Sequence, residues 1–400
     1  MLRMFENLLF RKDDATYDRQ VAEALDNAYK RVVEKPGRLD TFNLMSDRYV
    51  IFSDQHKGAR NGADDFCRCE RIYNAALGYY RAENYTLVEL GDVEDLWEER
   101  PKRVLADYAK SLQLSASFGP KKYLRIYGNH DDLWSHEGQV RRRLVPLYGQ
   151  DIKVHESARL RVTDGGRDLG IIWLIHGHQG TWDSDKYRWL SRPAVRYIWR
   201  PIQRVFKLSL NTPAQDWQLS QQHNIALYRW AAKQPRLLMI AGHTHHPVFR
   251  SKSHEQQLEE KLRKAQSKEN PELDLTIPPG RIAELSAELE WVRAQKGNAR
   301  GAETPVEEIK RPAYFNTGCC CYKDGDITGI ELADGEIRLV RWAATCRPPR
   351  PQVLARAPLA EVFQELRQPP VSEKPGERAR LGSFRPEEPA IVDQEAEILV

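Results

Sequence analysis

The sequence has no run approaching the roughly 18 to 20 consecutive apolar residues that a membrane-spanning helix needs, so no transmembrane segment is expected. Near its start only Phe5 to Phe10 forms a short apolar patch, without a convincing cleavage site, and no secretory signal is predicted. Cysteine is scarce and grouped, at positions 67, 69, 319, 320, 321 and 346, unlike the spread of a disulfide-stapled secreted domain. A reducing, cytoplasmic setting is the expectation. A charge excess of one sign is also missing: 61 basic against 57 acidic residues leave +4, too little to argue for nucleic acid by itself. There is no internal repeat. What is present is ordinary for a globular chain. At about 150 residues per domain, 400 residues suit two to three domains or one large α/β domain with insertions, and a 41% hydrophobic content can fill a sizeable core.

Apolar residues at Val21, Ala24, Leu25, Ala28, Tyr29, Val32 and Val33 mark one face of a helix that Pro36-Gly37 stops. Five apolar runs then read as buried strands: Tyr49 to Phe52, Thr86 to Leu90, Tyr123 to Tyr127, Ile171 to Ile175 and Leu237 to Ile240. Helix-compatible stretches near 65–82 and 101–116 separate the first three, which predicts a largely parallel central sheet with covered faces. Residues 1–46 read as an N-terminal helical extension and 47–342 as the main domain. Within the latter, 181–233 is an Arg- and Trp-rich helical cap, and 251–310 a charged insertion with helices near 254–267 and 281–296. Ala313 to Thr317, Ile327 to Leu332 and Glu336 to Trp342 resemble antiparallel strands, the last two joined by an Asp334-Gly335 turn. Beyond Trp342 the last 58 residues hold 9 of the 23 prolines and are expected to be disordered, with a hint of helix at Leu359 to Leu366.

The chemistry lies just beyond the five apolar runs, in Asp54-Gln55-His56, Gly91-Asp92-Val93-Glu94-Asp95, Gly128-Asn129-His130-Asp131, His176-Gly177-His178 and Gly242-His243-Thr244-His245-His246. All sit at strand carboxyl ends, which in an open parallel sheet share the edge where ligands bind. Carboxylate, amide oxygen and imidazole suit borderline divalent metals, and there are donors enough for two ions. Any one cluster alone would pass for a loop feature. Five in this order, each at the end of a strand, point to a site.

This ordered pattern resembles the calcineurin-like metallophosphoesterase superfamily, whose blocks are Asp-x-His, Gly-Asp-x-x-Asp, Gly-Asn-His-Asp/Glu, His and Gly-His-x-His; all five fall between residues 54 and 245. The resemblance implies an α/β fold, a four-layer α/β/β/α sandwich here carrying helical insertions. It implies one ion held by Asp54, His56, Asp92 and His245 and a second by Asp92, Asn129, His176 and His243, with Asp92 as the bridge. Manganese, iron or zinc would fill these places. Phosphate esters or pyrophosphates would be hydrolysed by attack of a metal-bridging hydroxide, with His130 as the catalytic imidazole and Asp95 as its partner carboxylate.

The substrate stays open. Arg188, Arg192, Arg196, Arg200 and Arg204 recur every four residues, interleaved with Trp189, Val195, Ile198, Trp199, Ile202 and Phe206. Such a basic stripe beside an apolar one can meet an anionic membrane surface or a lipid, or simply pack as a cap. The stripe is the basis for expecting peripheral contact with the inner face of the membrane through 186–207; its place after His176, with Asp183 and Asp185, resembles the helical cap of the bacterial UDP-2,3-diacylglucosamine diphosphatases, which implies a lipid-linked pyrophosphate. That family typically has arginine where His130 stands and is much shorter, so monoester, diester and pyrophosphate cleavage all remain open. A nuclease and a metal-free binding scaffold are the other readings. His178 and His246 are candidates for substrate or metal contact, followed by Asp131, His136 and His223. Cys319-Cys320-Cys321 and Cys67-x-Cys69 are predicted to be structural, because alternate side chains of an extended strand point oppositely and three in a row cannot all face one ion.

Overall fold

A computed structural model describes residues 14–34, 39–62, 64–181, 213–267, 281–295 and 311–367. Among the described residues fourteen strands run β1 Leu39–Asn43, β2 Tyr49–Phe52, β3 Thr86–Leu90, β4 Tyr123–Ile126, β5 Val154–His155, β6 Ser157–Asp164, β7 Arg167–Ile175, β8 Leu237–Ala241, β9 Val248–Phe249, β10 Lys252–Ser253, β11 Tyr314–Asn316, β12 Ile327–Ala333, β13 Glu336–Trp342 and β14 Pro351–Pro358. The helices among the described residues are α1 Asp14–Glu34, α2 Phe66–Ala82, α3 Pro101–Asp107, α4 Ala109–Ala116, α5 Glu137–Tyr148, α6 Pro213–Lys233, α7 His254–Ser267, α8 Arg281–Gln295 and α9 Leu359–Leu366. None of them is long and apolar enough to cross a membrane.

The strands form two seven-stranded sheets, ordered β14-β13-β12-β2-β3-β4-β5 and β1-β6-β7-β8-β11-β9-β10. Alternation along β2, β3 and β4 divides their side chains between two cores. Ile51, Val88, Leu90, Leu124 and Ile126 meet the second sheet, while Val50, Phe52, Leu87 and Tyr123 meet residues of α2, α4 and α5 such as Tyr73, Leu112 and Leu144. On the far side of the second sheet α1, α6 and α9 bury Val21, Leu25, Leu227, Trp230, Val362 and Phe363. The result is the four-layer α/β/β/α sandwich that the sequence resemblance implies.

Several sequence expectations change in detail. The five polar clusters do not follow strands of one sheet: β2, β3 and β4 belong to the first and β7 and β8 to the second. The two carboxyl edges meet, and the backbone N–H of His243, after β8, donates to the Asp54 carboxylate after β2 at 2.9 Å. Tyr314–Asn316 pairs in parallel with β8, and antiparallel only with β9 at Asn316, whereas β12 and β13 form the expected hairpin. The N-terminal extension is built into the fold, since β1 pairs with β6 and the Tyr29 ring meets Trp173 edge-on at 5.1 Å. The tail is ordered further than its composition suggests: β14 pairs with β13, and α9 is buried through Leu359, Val362, Phe363 and Leu366. Prolines are tolerated there because they begin and end an edge strand, where a missing N–H breaks no ladder. Residues 368–400 lie outside the described residues. Helices α7 and α8 match the insertion and close on each other through Leu258, Leu285 and Leu289. Of the cap, α6 packs on α1; the arginine stripe at 186–207 lies outside the described residues.

Candidate metal centre

Five of the seven residues assigned as metal ligands have left-handed backbone. Asp54, His56, Asp92, His243 and His245 have φ values of 53°, 49°, 52°, 68° and 60°. Each such position costs a non-glycine residue on the order of 1–3 kcal/mol and persists only where the surroundings enforce it. The enforcing contacts are close by. The first two loops run alongside one another, His56 N–H donating to the Asp92 carbonyl at 2.9 Å and Lys57 N–H to the Val93 carbonyl at 3.0 Å. Ser53 holds the Asp54 carboxylate through its hydroxyl, which also meets Thr317 Oγ1 at 2.6 Å.

Gly128 permits a close approach of two ligands. A Cβ at that position would overlap Asp92 Oδ1 and the His176 ring. Gly128→Ala is therefore expected to lower the affinity for divalent metal by about tenfold or more, as displaced positioning groups in metal sites do; metal titration beside thermal melts checks this.

The side chains converge in three overlapping groups whose donor atoms lie within 4.8 Å of one another: Asp54, His56 and His245; His56, Asp92 and His130; Asp92, His176 and His243. His245 Nε2 lies 3.3 Å from Asp54 Oδ1 and 3.0 Å from His56 Nε2. His56 Nε2 lies 3.7 Å from Asp92 Oδ2, which is 3.1 Å from His176 Nε2. His176 Nδ1 donates to the Leu90 carbonyl at 2.8 Å, which leaves Nε2 facing Asp92 in the site. Asn129 Oδ1 is buried and unpartnered. A buried acceptor without a donor is uncommon; a cation would satisfy it and take the place of a proton on His176 Nε2. The donor set fits two divalent ions.

Electrostatics agree. Burial works to raise the carboxyl pKa values of Asp54 and Asp92, but the imidazoles around them win and hold both well below the ordinary range. The reciprocal effect appears on the imidazoles. Burial works against the charged form of His176, yet Asp92 and Asp54 raise its pKa to about 9, and His245 is raised similarly by Asp54. Burial together with neighbouring imidazoles keeps His243 and His56 lowered, hence neutral ligands. Protons thus occupy the site when metal does not, and loading must displace them.

The direction of the pH dependence is definite. Protonation of His176 stabilises the metal-free fold fully below about pH 6.5 and ceases to do so as pH rises through about 9. In chelator, the thermal midpoint is expected to fall by a few degrees between those limits, while manganese-loaded protein holds its midpoint. Scanning calorimetry at several pH values checks both arms.

Beside the ligands, His130 Nδ1 donates to Asp95 Oδ1 at 3.1 Å, and its backbone N–H donates to Asp92 Oδ1 at 2.8 Å. Burial raises the Asp95 pKa less than the His130 hydrogen bond and charge lower it, so the carboxylate stays ionised. Eight of the nine assigned residues therefore come together at one place, and Asn129 precedes His130 in the same loop with its Oδ1 buried and unpartnered. Sequence reasoning missed Trp97, whose ring stacks on His130 at 4.8 Å and 21°; only its closeness to Asp95 in sequence could have hinted at it. Asp131 acts beneath the site. It accepts Gly128 N–H at 2.6 Å and Val93 N–H at 3.1 Å, tying two ligand loops together, and burial next to Glu94 and Asp92, against Arg125, raises its pKa to about 7. His223 is a strut, with Nε2 donating to the Gly177 carbonyl at 2.5 Å and Nδ1 meeting Tyr17 Oη at 2.8 Å. His178 lies with its ring 5.4 Å from that of His176. His246 lines a cavity with Pro247, Trp291 and Tyr322, and His136 is exposed before α5.

No protein-family model and no curated protein matches the chain. Among solved structures, the chain is similar to a dimetal phosphatase from Danio rerio at 12% identity and a TM-score of 0.33, over 77% of this chain and 98% of that one. A likeness of that degree carries no weight for function, which rests on the residues described above.

Proposed function

We propose that the chain is a two-metal hydrolase of phosphate esters or anhydrides. The observation that carries this reading is Asp92, which stands between the donors Asp54, His56 and His245 on one side and His176 and His243 on the other. Asn129 joins the second set through its unpartnered oxygen. When bound, two divalent ions of the manganese, iron or zinc class would supply Lewis acidity toward phosphoryl oxygens and ionise water near neutral pH. Two carboxylates return only −2 against +4, so the site favours an anionic substrate.

The chain's own residues do the rest. Asp54 and Asp92 fix where phosphate can sit. His130, with Nδ1–H committed to Asp95 and its plane held by Trp97, presents Nε2 to the substrate. One proton of the water passes to solvent, its oxygen bonds to phosphorus as the phosphorus–leaving-oxygen bond breaks, and His130, protonated on both ring nitrogens, gives its Nε2 proton to the departing oxygen. No protein nucleophile is required.

Turnover of a chromogenic phosphoester in Mn²⁺ that chelator abolishes supports this reading. Metal-replete protein inert toward monoesters, diesters and pyrophosphates would leave the binding-scaffold alternative instead. The Arg188 to Arg204 stripe favours a lipid-linked substrate over a nucleic acid, because its arginines alternate with Trp and Ile rather than extending a basic surface. Co-sedimentation with anionic liposomes should fall when these arginines become glutamate; unchanged binding would remove the lipid reading.

A further inference from the structure

The thiols near the site are not all packing groups. Cys69 and Cys320 belong to the core beneath the first sheet, and Cys320 Sγ faces the Thr328 carbonyl at 3.8 Å. Cys319 is buried but belongs to neither large apolar cluster, and Cys321 is half-buried. Past β11 the backbone is irregular with a bend at Cys320, and this brings the Cys319 and Cys321 side chains to the same place. The segment is held there by the Cys320 N–H donating to the Asp54 carbonyl at 3.1 Å and the Thr328 N–H donating to the Cys319 carbonyl at 3.0 Å.

Cys319 Sγ, Cys321 Sγ and a ring nitrogen of His245 lie within 4.8 Å of one another. His245 turns Nε2 toward Asp54 and His56 and Nδ1 toward Cys321 Sγ, 3.8 Å away. Tetrahedral zinc, with bonds of about 2.3 Å to sulfur and about 2.0–2.1 Å to nitrogen, separates such donors by about 3.6 Å. We infer that Cys319, Cys321 and His245 Nδ1 form a separate site for one borderline-soft divalent cation of the zinc class, joined to the proposed metal pair through the His245 ring. Binding displaces one proton from each thiol, and the Nδ1 proton when Nε2 is also engaged, so two thiolates offset the added charge. Hard ions such as Mn²⁺ would leave the thiols empty. This site depends on the proposed function only through the shared histidine.

The test uses the full chain titrated with Co²⁺, because thiolate-to-cobalt charge transfer reports sulfur ligation and no other proposed ligand contains sulfur. The wild type is expected to show that band and to retain one more zinc per chain after desalting than Cys319→Ser/Cys321→Ser, in which the band is lost. Cys321→Ser alone, at a half-buried position, should lose most of the band and serves if the double variant does not fold. Cys346→Ser and Asp92→Asn should keep it. No band in the wild type, an undiminished band in the double variant, or equal zinc content would overturn the inference. A band that persists while Mn²⁺ supports no turnover would sink the phosphoesterase reading and leave this site standing.

Discussion

Asp92→Asn is expected to lower turnover by about 10³-fold or more under saturating Mn²⁺. The carboxylate is fully buried, faces His176 at 3.1 Å and His56 at 3.7 Å, and accepts the His130 N–H. An amide keeps the shape but removes the only charge common to the two donor sets. Losing several kcal/mol of charge stabilisation in the transition state, at about 1.36 kcal/mol per decade, gives that factor. Stability in chelator should fall less than activity does, because Asn can still accept the His130 amide. Wild-type turnover in this variant would remove Asp92 from the mechanism.

His130→Ala should separate two kinds of substrate. An acid that protonates a poor leaving group contributes about 10² to 10⁴, so hydrolysis of an alkyl phosphoester should fall by that factor. A nitrophenyl ester, whose leaving oxygen is stable as an anion near neutral pH, should fall far less. Asp95→Asn should shift both rates in the same order but less strongly, because Asp95 acts through Nδ1. Equal losses on both substrates would mean that His130 stabilises the transferring phosphoryl group rather than donating a proton. Metal content of each variant keeps the comparison free of ligand loss.

Much of this site is written in the chain because of where the fold puts it. The parallel strands Tyr49–Phe52 and Thr86–Leu90 are covered on both faces and so appear as largely apolar runs with the predicted bounds, the second interrupted by the buried Glu89. Each ends where its loop turns left-handed, which places the chemical residues at a fixed offset. Less local features left no such trace. Strand β6 buries Ala158, Leu160 and Val162 on one side and carries Arg159, beside Tyr29, and the exposed Arg161 on the other, so its composition reads as polar. The division into two sheets depends on pairings such as Ile330 with Ile51, far apart in sequence. Helix α5 holds Pro146 and three arginines and buries only Val140, Leu144 and Tyr148. Trp97 is placed by contact with His130, and the convergence of Cys319 and Cys321 appears only once His245 is brought beside them.

Crystals equilibrated with Mn²⁺ and measured at an energy where manganese scatters anomalously test the two-metal centre most directly. Two peaks per chain are expected about 3.5–4 Å apart with Asp92 between them, one beside Asp54, His56 and His245, the other beside Asn129, His176 and His243. A single peak away from Asp92, or no peak in a chain whose loops keep the geometry described, would contradict it.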